Sequence, residues 1–125
     1  MQKSAVAALV GLASILAAGS ASAAEPYGTW VRPSTGTQVN FYSCGGGLCA
    51  KITAVKDAAK KATVGKVIMS GAKKTADNKW EGSLLNTDNG NTYKGYVTLE
   101  GSGLNLQGCA LGGIVCTGET WQRVK

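Results

Sequence analysis

Residues Cys44 to Cys49 read Cys-Gly-Gly-Gly-Leu-Cys, two thiols set around three glycines and a leucine. Sulfurs so placed either do chemistry or hold a turn. A thioredoxin-type redox pair needs two residues between its cysteines, and here there are four. A structural zinc site wants tighter pairs and commonly histidine, and the chain contains no histidine. The flanks favour the turn. With Cys44 opposite Cys49 on adjacent antiparallel strands, Phe41 faces Ile52, Val39 faces Ala54 and Ser43 faces Ala50 on one side. Tyr42–Lys51 and Asn40–Thr53 then share the other side with the sulfurs. A slip of one residue would mix the two sets, so the apolar pattern and the sulfur pairing demand the same register. Directly opposed positions lie about 4.5–5.5 Å apart at Cα, within disulfide reach. The stretch predicts a stapled β-hairpin, and its flanks are strands two and three.

Working outward, Tyr27–Arg32 reads as a first strand ended by Pro33-Ser34. Downstream, Ala54–Ala62 (AVKDAAKKA) is rich in helix formers and sets Asp57 four residues before Lys61. It is either a short helix between strands three and four or a lysine-rich loop. Lys66–Met69 forms a short fourth strand between glycines. Strands five and six share KWEGSLLNTDNGNTYKGYVTLE, in which Asn89-Gly90 is a type I′ turn dipeptide. On that turn Trp80 opposes Leu99, Gly82 opposes Val97, Leu84 opposes Gly95 and Asn86 opposes Tyr93. Leu104–Cys109 and Thr117–Val124 complete the set as strands seven and eight. An open sheet of this size would expose two long edges. The expected fold is all-β, an eight-stranded antiparallel up-and-down barrel, with a two-layer sandwich as the alternative.

The ends bear on location. Residues 1–24 run MQKSAVAALVGLASILAAGSASAA, with Lys3 as a positive head, an apolar stretch from Ala5 to Ala18 and small residues at Ala21-Ser22-Ala23. This is the pattern of a secretory signal over residues 1–23, cleaved to leave one domain over 24–125. The apolar run, about 14 residues, is short of the roughly 20 that span a bilayer, so no stable membrane insertion is expected. Export to the periplasm or beyond implies an oxidising compartment, where four cysteines read as two disulfides. Chain distance pairs Cys44 with Cys49 and Cys109 with Cys116. Without Lys3, 12 basic and 7 acidic residues leave a charge of +5, and eight of the basic residues fall between Lys51 and Lys79. That excess suits an anionic envelope partner, or else a merely solvated face. No specific nucleic-acid motif accompanies it.

Catalytic groupings are missing. Without histidine the commonest general base and metal ligand is absent, and Glu81, Asp88, Glu100 and Glu119 form no paired-carboxylate pattern. The glycine-rich segments lack the Lys-Ser or Lys-Thr of a phosphate loop. The expectation is a binding protein and not an enzyme, with no cofactor and no metal. Its ligand would be a small, partly apolar molecule lodged against Trp80, Leu84, Tyr93 and Val97. Gly82 and Gly95 beside them either leave a cavity or permit tight coiling that the tryptophans fill. If Cys109 and Cys116 are directly opposed, Glu119 shares a face with Leu104, Leu106 and Trp121 and needs a basic or ligand partner. A bulge in the loop would instead turn Glu119 outward. The competing reading is a binder of envelope macromolecules, an inhibitor or adaptor, that uses its loops and the lysine-rich 51–79 region around a filled core.

Four segments occur together here: Gly28-Thr29-Trp30, the LCAKI segment from Leu48, the WEGSLLN segment from Trp80 and the closing TGETWQRV from Thr117. In order and spacing they resemble a family of small exported bacterial proteins classed as a domain of unknown function. The resemblance runs from about Tyr27 to Lys125 and implies a lipocalin-like barrel of the calycin type. It also implies that Arg123, near the C-terminus, covers the indole of Trp30 and closes the barrel.

Overall fold

Apolar residues recur at every second position of the strands, so each strand turns one set of side chains to a common side. In the computed structural model, which describes residues 25–124, that side is the interior of a closed barrel of eight antiparallel strands joined in sequence order. They are β1 (Gly28–Val31), β2 (Gln38–Cys44), β3 (Gly47–Ala54), β4 (Val67–Ala76), β5 (Lys79–Leu85), β6 (Thr92–Glu100), β7 (Gly103–Ala110) and β8 (Val115–Arg123). The up-and-down barrel expected from the strand pattern is the fold, and the sandwich is excluded. Closure comes where β1 meets β8 at Trp30–Arg123 and Val31–Gln122. The secretory signal expected over residues 1–23 lies outside the described residues.

Two hairpins differ from the expected pairing by two residues, and the faces survive because the side-chain period is also two. In β2–β3, Phe41 pairs with Ala50 instead of Ile52, and Cys44 pairs with Gly47. The turn contracts to Gly45-Gly46 with φ of 54° and 82°, the type I′ combination whose twist matches a hairpin. The Cys44–Cys49 disulfide therefore crosses the strands diagonally on the outer face, its Cα atoms 5.9 Å apart. In β5–β6, Trp80 pairs with Val97, Gly82 with Gly95 and Leu84 with Tyr93. Asn89-Gly90 does not make the two-residue turn. The Asn86 side chain accepts the amide of Asp88, that of Asn89 accepts the amide of Asn91, and Gly90 N–H reaches the Asn86 carbonyl. Asparagine side chains thus hold a wider loop than the dipeptide alone would form.

The stretch after β3 resolves into a short 3-10 helix, Ala58–Thr63, whose first turn is capped by the Asp57 carboxylate accepting Ala59 N–H at 2.9 Å. β4 runs past Met69 to Ala76 instead of stopping at the glycine, because a bulge at Gly71 lets the strand bend and continue.

The up-and-down order puts three tight turns and residues 25–27 at one end, and the four wider connections at the other. The first end is closed. Trp30, Phe41, Leu48, Met69, Val97 and Leu104 are fully buried there or at mid-barrel. Trp30 Nε1 donates to the Pro26 carbonyl at 2.8 Å. The Arg123 guanidinium lies 4.3 Å from the centroid of the Trp30 ring and donates to the carbonyls of Tyr27 and Glu25 at 2.6 and 3.0 Å. A Cβ on residue 28 would come within 2.9 Å of Arg123 Nη1, so glycine makes room for this cover. Such a cation over an indole contributes roughly 0.5–2 kcal/mol.

Candidate functional site

At the opposite end the same strands bring smaller side chains inward, and the barrel is not filled. A chamber of about 760 Å³ opens between the four wide connections. That is within the usual range, roughly 300–1,000 Å³, of small-molecule sites. Its inner wall is apolar: Val39, Ile52, Ile68, Leu84, Leu106 and Trp121. Gly108 faces inward among them, and a Cβ there would meet Leu84 and Tyr93 only at ordinary contact distances of 3.5 and 3.7 Å. The indole Nε1 of Trp121 is buried and has no hydrogen-bond partner, which singles it out, since buried polar groups are nearly always paired.

Glu119 stands at the mouth. Cys109 and Cys116 are directly opposed, with Cα atoms 4.1 Å apart, and β7–β8 pairing continues without a bulge from Cys109–Cys116 to Leu106–Glu119 and Leu104–Trp121. The carboxylate therefore turns inward, and the outward alternative is excluded. Its Oε2 accepts from Arg32 Nε and Ser34 Oγ, each at 2.8 Å, and its Oε1 accepts from the Ser34 amide at 3.2 Å. Burial pushes the Glu119 pKa up, but these hydrogen bonds and the Arg32 charge outweigh it and hold the carboxyl below its ordinary range. Elsewhere on the rim, the Lys60 ammonium pairs with Asp88 and, by hydrogen bond and charge, lowers that carboxyl as well.

The charge of the site differs in sign from that of the chain. Arg32 and Lys60 are the cations of the lining, and both are tied to carboxylates; Asp57, Asp88 and Glu119 are its acids. The lining is thus one negative charge in surplus within a chain of net +6. Among the described residues no group of three or more His, Cys, Asp or Glu could hold a metal ion.

Of the residues expected at a ligand site, the fold brings Leu84, Tyr93 and Glu119 together on the chamber. Trp80 and Val97 do not join them: 7% and 0% exposed, they pair with each other in the packed half. Trp80 shares a face with Leu84 but sits four residues away, roughly 13 Å along a strand. Gly82 and Gly95 leave no void. Ala72 fills the first position, and Met69 with Leu84 the second, each within 2.9 Å of where a Cβ would stand. The glycine that opens space is Gly108. Its signal was the inward series Leu104, Leu106, Gly108, in which bulk stops two residues before the β7–β8 loop.

Residues 28–123, all eight strands, match the family described as "Uncharacterized protein conserved in bacteria (DUF2147)". The chain belongs to the DUF2147 family. Among solved structures this DUF2147 barrel is similar to one described as "Protein HP1028 from the human pathogen Helicobacter pylori belongs to the lipocalin family". The identity is 18% and the TM-score 0.65, over 81% of this chain and 84% of that one. At that identity the likeness is one of fold, a closed lipocalin-like barrel. None of the curated proteins matches the chain. No helix among the described residues of the DUF2147 chain is long and apolar enough to cross a membrane.

Proposed function

We propose that this chain is an exported binding protein, not an enzyme, that carries a small, partly apolar molecule in the chamber at its open end. One observation carries the reading: a chamber of about 760 Å³, apolar on its inner wall and polar at its mouth, that the barrel's own side chains leave unfilled. In this reading residues 1–23 are a cleaved secretory signal, the domain is 24–125, and the two disulfides belong to a periplasmic or secreted compartment. Leu84, Tyr93 and Glu119 contact the ligand, along with Trp121. Because both cations of the lining are already paired, an uncharged or cationic head group suits the mouth better than a carboxylate. The reading as a binder of anionic macromolecules has less support. Lys56, Lys60, Lys61 and Lys66 lie around the open end while Lys73, Lys74 and Lys79 lie on the hairpin at the closed end, so the lysine-rich region forms no single face.

Native mass spectrometry of protein purified from its own host should show a co-purified small molecule. Titration of tryptophan fluorescence with dodecanol, dodecylammonium and dodecanoate should show binding, weakest for the carboxylate. Gly108→Leu should fill the chamber and weaken that binding at least tenfold with little change in thermal stability. Failure of all three probes, or indifference to Gly108→Leu, would refute the reading.

A further inference from the structure

Among the described residues six large apolar side chains are exposed, and five of them lie at the open end. Val64 and Val67 sit on and beside the β3–β4 connection; Leu111 and Ile114 belong to the β7–β8 loop, and Val115 opens β8 directly after it. Leu111 and Ile114 are the extremes, 74% and 84% exposed. Their loop is held, not loose. The Cys109–Cys116 disulfide bolts its base, and the Ile114 amide bonds to the Leu111 carbonyl. Leu111, Gly112 and Gly113 all have positive φ, at 53°, 68° and 93°. A leucine in that region is held against its steric preference. The strain contributes nothing to the core, since neither Leu111 nor Ile114 is buried.

Taken as a whole, lining and surroundings together, the same end is cationic. Arg32, Lys56, Lys60, Lys61 and Lys66 stand against Asp57, Asp88 and Glu119, a surplus of two positive charges. Lys56, Lys61 and Lys66 are exposed and form no ion pair among the described residues. Apolar tips accompanied by lysines are what an anionic lipid surface recognises: the side chains enter the boundary between head groups and acyl chains while the cations meet phosphates. The two apolar groups stand on connections four strands apart around the barrel. A protein partner would have to bridge the opening between them, whereas a fluid lipid surface conforms to both.

We propose that the open end docks reversibly on an anionic bilayer, with Leu111 and Ile114 entering the interface and Lys56, Lys61 and Lys66 supplying the charge selectivity. Docked this way, the chamber faces the lipid, and an apolar ligand passes between bilayer and barrel without crossing water. The barrel rests on the surface and does not span it.

Flotation of the mature chain with vesicles tests the proposal. Wild type should float with phosphatidylglycerol–phosphatidylcholine vesicles, far less with pure phosphatidylcholine, and progressively less as salt rises. Leu111→Ser with Ile114→Ser should weaken binding at least tenfold. Lys56→Gln, Lys61→Gln and Lys66→Gln together should remove the preference for anionic lipid. Ile114→Trp should show blue-shifted emission on vesicles and quenching by brominated lipid. The proposal is overturned by wild type that floats with neither vesicle, by equal binding of the serine variant, or by a dimer in sedimentation that the serine variant dissolves. Near-UV circular dichroism and dodecanol binding of the serine variant report on the fold and the chamber separately. A failure of docking is thereby distinct from a failure of the ligand reading.

Discussion

The two ends of the barrel are built from the same eight strands and differ in what those strands point inward. Toward the closed end the inward residues are Trp30, Leu48, Trp80, Leu99 and Leu104, and they meet with little space between them. Toward the open end they are Val39, Ile52, Leu84, Gly108 and Thr117, and they enclose a chamber. Each end also has a disulfide, with a different use. Cys44–Cys49 braces a two-glycine turn at the closed end, while Cys109–Cys116 carries an exposed apolar loop at the open one. One half supplies stability and the other can therefore remain hollow. A barrel of about 100 residues buries only some 60–70% of its unfolded surface, so the packed half has little stability to spare.

Substitutions that treat the two ends alike should sharpen this contrast. The largest effect is expected from Trp30→Ala, which opens a hole in the packed half and leaves Arg123 without its ring. It should cost about 3–5 kcal/mol in urea unfolding. Leu84→Ala on the chamber wall should cost clearly less, because its cavity joins one that already exists; equal losses would break the distinction between the halves.

Removing the disulfides comes next. Loop-closure entropy predicts about 2 kcal/mol for either bridge, replaced as a cysteine-to-alanine pair, since their sequence separations of 5 and 7 barely differ. Thermal melts should thus show similar losses, while only Cys109→Ala with Cys116→Ala alters flotation. Arg123→Gln should then cost about 1 kcal/mol by loss of the cation–π contact, with no effect on dodecanol affinity.

Acid gives the smallest effect. Glu119 has a folded pKa below the ordinary glutamate value of 4.5, so its contribution is present above that value and lost as pH falls through the folded one. Glu119→Gln should flatten the decline in urea midpoint below about pH 5, and a variant as acid-sensitive as wild type would show that the Arg32–Glu119 pair does not stabilise the mouth.

Much of this was legible along the chain because it depends on parity. Alternation in Val39–Phe41 and in Leu104–Leu106 determined which face is inward, and a two-residue error in register left that face unchanged. Placement along the barrel axis was not legible to the same degree. Asn86 and Asn89 redirected the β5–β6 loop through side-chain hydrogen bonds that the Asn89-Gly90 dipeptide does not reveal. Nothing local marks Trp80 as closed-end core and Leu84 as chamber wall, although both face inward on one strand.

By itself the sequence determined the number and order of the strands, the face most residues take and the partners of both disulfides, while the inward turn of Glu119 waited on the unbulged β7–β8 register. Only the tertiary structure decided which end is hollow, which glycine opens space and how the rim's charges cancel. Inward or outward follows from a residue's own backbone and its nearest neighbours. Empty volume is a sum over side chains from all eight strands, and it exists only after the barrel has closed.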